Sequence, residues 1–200
     1  MDVAKKESIL DAAVRAFARH GFKKASIDAI AKAAGVAKGT VYLACENKAD
    51  LFYQSVHREL RQWIAECGKH IDPRRPADEL LSENAGAALV FLEARPLVRD
   101  LLLRLTEGSI PDWQLRFDDL RDIALGNTIQ ILKLGQRQGR FRAELDVDAV
   151  AEVLQDMYVA GYIFSRRPGR DATEVQTRFR TAFDVVLNGL LARTNIKGQA

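Results

Sequence analysis

The sequence predicts an all-α protein of about nine helices, on three observations. Apolar residues recur at helical spacing along nearly the whole chain, as in Leu10, Ala13, Val14 and Phe17, or Ile27, Ile30, Ala31 and Ala34. Steps of three, four and seven put such residues on one face of a 3.6-residue helix. Strand signals are missing: there is no alternating Val/Ile/Thr run, and no Asn-Gly pair joins two such runs. The five prolines fall between the periodic stretches, where a missing N–H breaks no helical hydrogen bond.

Taken in order, the helices are expected at 5–19, 27–34, 38–43, 48–68, 78–94, 96–106, 112–138, 147–165 and 172–192. The fourth carries the stripe Phe52, Val56, Leu60, Trp63 and Cys67 and stops before Pro73 and Pro76. The fifth carries Leu81, Ala85, Ala88, Leu89 and Leu92; the sixth carries Leu97, Leu101 and Leu105 behind Pro96, which suits a first turn. The seventh is apolar on more than one face (Phe117, Leu120, Ile123, Leu125, Ile131, Leu132), as in a helix surrounded by others, and Gly139 can end it. The last two carry wide stripes, and Arg166-Arg167-Pro168-Gly169-Arg170 is a basic surface loop between them.

With 200 residues and 48% hydrophobic composition the chain can bury a sizeable core. No apolar run approaches the roughly 18 residues of a membrane helix, and the start lacks an apolar signal core, so a soluble cytoplasmic protein is expected. Two cysteines and three scattered histidines give neither a disulfide framework nor metal-ligand spacing. No nucleophile–base pair or Gly-rich phosphate loop is present, so neither catalysis nor a cofactor is expected. The net charge of +3 is unevenly placed: residues 1–50 hold nine Lys/Arg against six Asp/Glu, and the remainder is neutral. A basic head on a neutral body is a footprint for a polyanion.

The head also carries a motif. Ser26 can cap a helix running to Ala34. Gly35 supplies a positive-φ turn, Val36 fills the gap, and Lys38-Gly39-Thr40-Val41-Tyr42 opens a second, short helix. Its outer side bears small or donor-bearing residues, which lets it enter a major groove. This is a helix-turn-helix by mechanism; a generic helical hairpin shares the glycine turn.

Ile9-Leu10-Asp11-Ala12-Ala13, Phe17, Gly21-Phe22, Ser26-Ile27, Ile30-Ala31, Ala34-Gly35-Val36, Lys38-Gly39-Thr40-Val41-Tyr42, Lys48 and Leu51-Phe52 together resemble the N-terminal domain of the TetR family, over about 45 residues. The resemblance implies a three-helix DNA-binding domain at 1–50 and a helical regulatory and dimerisation domain at 51–200. It implies DNA contacts from Ser26, Ala37, Lys38, Gly39, Thr40, Tyr42 and Lys48: bases from Lys38 and Thr40, phosphates from Ser26, Tyr42 and Lys48, with Asn47 and Asp50 capping the fourth helix. Relatives usually follow the Tyr-x pair with His or Tyr and then Phe, whereas this chain has Ala44 and Cys45. Cys45 reads as a small buried hydrophobe or as a thiol sensor.

Trp63, Phe91, Trp113, Phe117, Tyr158 and Tyr162 are candidates to line a small-molecule effector pocket, or simply to fill a core. Val150, Leu154, Phe179, Phe183, Val186 and Leu190 are candidates for a homodimer interface, or for closing a monomer core. The expected function is a transcriptional regulator, a repressor released from a pseudo-palindromic double-stranded operator by its effector. The alternative, motivated by Ala44, is a helical ligand-binding or adaptor protein with weakened DNA binding.

Overall fold

A computed structural model describes residues 2–98, 101, 113–165 and 172–191, without the side chains at 89, 93, 113–117, 164, 165 and 172–176. Eight helices are delimited among these residues: α1 Val3–Lys24, α2 Ile27–Ala34, α3 Lys38–Tyr42, α4 Lys48–Gly68, α5 Ala77–Ala94, α6 Trp113–Arg137, α7 Val147–Ser165 and α8 Ala172–Leu190. Residues 96–98 and 101 are helical too; the rest of the helix expected at 96–106, and the loop Arg166–Arg170, lie outside the described residues. The fold is all-α, as the periodicity requires.

The main departure at a helix end is in α1, which runs past the expected residue 19 but is broken at Gly21 (φ 70°, ψ 167°). That backbone conformation is open to glycine alone at little cost. The break turns the chain so that Phe22 meets Phe52 at 5.2 Å between ring centres.

The chain forms two compact units, Met1–Trp63 with Val90–Ile123, and Ile64–Leu89 with Ala124–Ala200. In the first, α1 packs on α2 and α2 on α3. Ile9, Leu10, Ala13, Phe17, Ile30, Val41, Leu51, Phe52 and Val56 are buried there. Phe17 meets Phe52 edge-on at 5.0 Å. Arg58 of α4 holds Glu7 (3.0 Å) and Asp11 (2.7 Å) of α1.

In the second unit, Leu80, Leu81, Leu125, Ile131, Leu132, Leu154, Tyr158, Phe183 and Leu190 form a continuous buried cluster. Helix α6 ends in a left-handed cap at Gly139 (φ 68°). The Arg140 N–H reaches Gly135 O and the Gly139 N–H reaches Gln136 O, a Schellman pairing that satisfies the last carbonyls. The Phe141 ring then lies over Gly135 so closely that a Cβ there would fall 2.0 Å from it. Two buried polar side chains on α6 are satisfied within the unit: Asn127 donates to Ile64 O and Thr128 accepts from Asn84.

Candidate nucleic-acid interface

Ser26 caps α2, its Oγ accepting the Ala29 N–H at 3.1 Å. Gly35 ends the helix in the left-handed region (φ 69°, ψ 29°). The Val36 N–H returns to Ala31 O at 3.0 Å and the Gly35 N–H to Lys32 O at 3.2 Å, again a Schellman pairing. This turn fixes the direction in which α3 leaves.

Val41 and Cys45 bury the inner side of α3 and its C-terminal extension. At about 100° per residue, the positions opposite them are Gly39 and Leu43, flanked by Tyr42 on one side and Thr40 on the other, while Lys38 opens the helix nearer its inner side with its side chain still 53% exposed. A Cβ on Gly39 would meet no atom within 4 Å and its φ is ordinary, so the fold itself does not require glycine there. The glycine instead leaves the outer backbone bare for close approach. Leu43 is 76% exposed, the most outward large side chain of this face. Sequence reasoning passed over Leu43; placing Val41 and Cys45 inward on a helical wheel is the signal that finds it.

The charged residues are tied back to the head. Lys38 Nζ lies 3.0 Å from Asp28 Oδ2 on the first turn of α2. Lys48 Nζ donates to Lys23 O at 3.1 Å, at the C-terminal end of α1, and sits 4.9 Å over the Phe22 ring. Asn47 accepts the Asp50 N–H at 2.9 Å and Asp50 accepts the Glu46 N–H, so the expected cap on α4 forms with its return bond one residue early. Gln54 ties the loop by donating to Ala44 O and Asp50. Ala37 precedes α3 without a side-chain cap. Cys45 points inward, its thiol donating to Val41 O, and burial pushes its pKa up to about 11. Its burial and inward bond fit a small hydrophobic plug, whereas a thiol sensor needs an accessible thiolate at neutral pH.

Residues 9–54 match the family model of the bacterial regulatory proteins of the tetR family. Residues 9–54 are thus a DNA-binding domain of the TetR family of transcriptional regulators. The chain is 31% identical over 97 residues to the HTH-type transcriptional regulator YhgD of Bacillus subtilis, an alignment spanning 48% of this chain and 51% of that one. It is 25% identical over 198 residues to the HTH-type transcriptional repressor BepR of Brucella suis, covering 96% and 94% of the two chains. The structure of the fatty acid degradation regulator FadR from Bacillus halodurans aligns with a TM-score of 0.68 at 23% identity, over 96% of this chain and all of that one. This likeness extends the family's fold through the body, where periodicity alone had supported it.

In the body of the chain, the candidate effector residues divide between the two units. Half-buried Trp63 stacks on buried Phe91 (4.3 Å, 16°) in the first unit. Beside them Arg95 lies 5.9 Å over Phe91 and pairs at 2.9 Å with buried Glu59. In the second unit Tyr158 and Tyr162 are buried, and the Tyr158 ring meets Phe179 at 5.2 Å. The Tyr158 hydroxyl is buried without a hydrogen-bond partner among the described residues. The side chains of Trp113 and Phe117 lie outside the described residues. Of the candidate interface residues, Leu154, Phe183 and Leu190 sit in the protomer's own core, and Val150, Phe179 and Val186 pack half-buried against it. Among the described residues of α7 and α8, the exposed large apolar ones are Val153 (53%) and Val185 (69%).

Proposed function

We propose that this chain is a repressor that binds a pseudo-palindromic operator as a homodimer, with residues 1–50 on the DNA and residues 51–200 for dimerisation and effector binding. The observation that carries the reading is the outer face of α3, bare at Gly39, apolar at Leu43 and edged by Thr40 and Tyr42, with exposed Lys38 at the start of the helix, on a turn that fixes its direction. A face of this shape suits the major groove, where two heads of a twofold dimer meet half-sites about one helical turn apart. Such a regulator works beside the chromosome, in the cytoplasm.

Selecting bound fragments from genomic DNA and titrating one of them at several salt concentrations tests the reading. A defined, near-palindromic site with a steep salt dependence supports it. Weak, sequence-indifferent binding favours an adaptor instead.

Leu43 adds a specific expectation. Its apolar side chain has one good partner in a major groove, the 5-methyl group of thymine. Replacing single operator thymines by deoxyuridine removes only that methyl. One such position per half-site should weaken binding of the wild type by roughly three- to tenfold, a fraction of the discrimination given by a base contact. The Leu43→Ala protein should be indifferent to the same replacement. Equal sensitivity of both proteins would place Leu43 away from the bases.

An effector is supported by the buried Tyr158 hydroxyl, which has no hydrogen-bond partner among the described residues, a group that costs about 1–3 kcal/mol unless a ligand supplies its bond. An aromatic compound with a hydrogen-bonding group should raise the melting temperature with concentration and weaken operator binding. Stabilisation without any loss of DNA affinity would separate binding from regulation.

A further inference from the structure

The geometry points to Asp28 as a built-in competitor of DNA for Lys38, holding operator affinity below what the head could otherwise reach. The inference rests on the DNA-binding reading above and adds an internal antagonist to it.

Asp28 stands on the first turn of α2, two residues after the Ser26 cap. Its carboxylate reaches across to α3 and takes the Lys38 ammonium at 3.0 Å. Both side chains are open to solvent, Lys38 at 53% and Asp28 at 70%. The pair therefore lies on the surface of the helix-turn-helix, where the first turn of α2 and the start of α3 are neighbours. Hydrogen bonding to Asp28 raises the Lys38 pKa, so the lysine keeps its charge throughout the physiological range.

Three physical consequences follow. A lysine ammonium has three donors and rotates freely, so Lys38 can exchange one anionic oxygen for another. A DNA phosphate or a guanine edge approaching α3 must compete with a carboxylate already in place. Once Lys38 turns to the DNA, Asp28 is left as an anion beside a polyanion. An N-terminal helix turn ordinarily favours phosphate, because its N–H groups point outward. Here the aspartate occupies that position with a fixed negative charge. The competition for Lys38 and the uncovered charge of Asp28 both oppose binding. An exposed pair of this kind contributes little to folding, so its loss should leave the head intact.

The test is a double-mutant cycle on one operator, with Asp28→Asn, Lys38→Ala and the double variant, each checked for an unchanged melting temperature. Asp28→Asn keeps the side-chain shape and removes the charge. It should tighten binding by about three- to fivefold per subunit, or roughly ten- to twenty-fivefold for a dimer, at low salt. It should also steepen the dependence of log affinity on log salt by about 0.9 per subunit. In the Lys38→Ala background the gain should shrink, since no lysine is left to release and only the repulsion between Asp28 and the phosphates remains.

Weaker binding by Asp28→Asn would overturn the proposal and make Asp28 a positioning residue for Lys38. Unchanged binding would overturn it by showing the pair irrelevant on DNA. A gain that is undiminished without Lys38 would also overturn it, leaving simple repulsion of the phosphates by Asp28 as the whole effect. If the wild type selects no DNA site at all, the repressor reading itself falls, a result distinct from all of these. Should Asp28→Asn lower the melting temperature, Asp28→Ser, which keeps a short polar side chain on the first helical turn, repeats the measurement.

Discussion

Phe52→Ala should abolish operator binding by dismantling the head, without touching any group that meets DNA. Phe52 is fully buried near the start of α4, edge-on to Phe17 of α1 and against Phe22 beyond the Gly21 break. These contacts fasten α4 to α1, and α1 in turn carries α2. Truncating a buried phenylalanine costs about 3–5 kcal/mol through lost transfer energy and the cavity left behind. Each lost aromatic pair adds up to about 1 kcal/mol. Against a total stability of roughly 5–15 kcal/mol, this is a large fraction. The midpoint of thermal unfolding should fall by roughly 6–20 °C for a chain of this length. Circular dichroism on heating and fluorescence anisotropy with labelled operator should show the two losses together. A variant of wild-type stability that fails to bind DNA would instead make Phe52 part of the recognition surface, contrary to its burial.

How much of this was legible in the sequence depends on how local the determinant is. The turns and caps of the head could be read from the sequence, because their determinants are near-neighbour effects: the Ser26 cap, the Gly35 turn and the caps at Asn47 and Asp50. The helices of the body were legible from periodicity. Gly139 was expected to end α6, and it does so in a left-handed cap. The helical stretch beyond Gly21, as far as Lys24, was not foreseen, because the apolar stripe of α1 ends at Phe17 and nothing local reports that the helix resumes after the break. Nor were the partners of long side chains. Lys38 finds Asp28 ten residues back, and Lys48 finds Lys23 O twenty-five residues back. Both contacts exist only once the helices have packed. The aromatic set of the body shows the same limit. Trp63 and Phe91 are 28 positions apart in sequence yet stacked, and no periodicity within either helix announces it. Leu154, Phe183 and Leu190 were candidates for an interface, but a wide apolar stripe has an inner and an outer edge. Only packing tells which edge faces the protomer's own core.

That distinction gives the second large effect. Phe183 belongs to the buried cluster with Leu81, Leu132, Leu154 and Leu190. Phe183→Asp removes a large apolar side chain and leaves a carboxylate with no cation in that cluster. The lost packing costs about 3–5 kcal/mol. Burying the unpaired acid adds several more unless it takes up a proton. The sum is comparable with the whole stability of a domain, so this variant should be unfolded or recovered as aggregate rather than as a folded monomer. Val153→Asp and Val185→Asp put the same charge on the exposed sides of α7 and α8, where the protomer alone loses almost nothing. If copies of these helices pair in a dimer, each charge is desolvated only on association, at a cost of several kcal/mol that recurs in both subunits. The double variant should therefore keep its helical signal and melting cooperativity, sediment as a monomer and lose operator affinity, because the two heads no longer bind as one unit. A stable dimer after both changes would move the interface away from Val153 and Val185. A folded, dimeric Phe183→Asp protein would contradict the burial of that ring and the assignment of the inner edge.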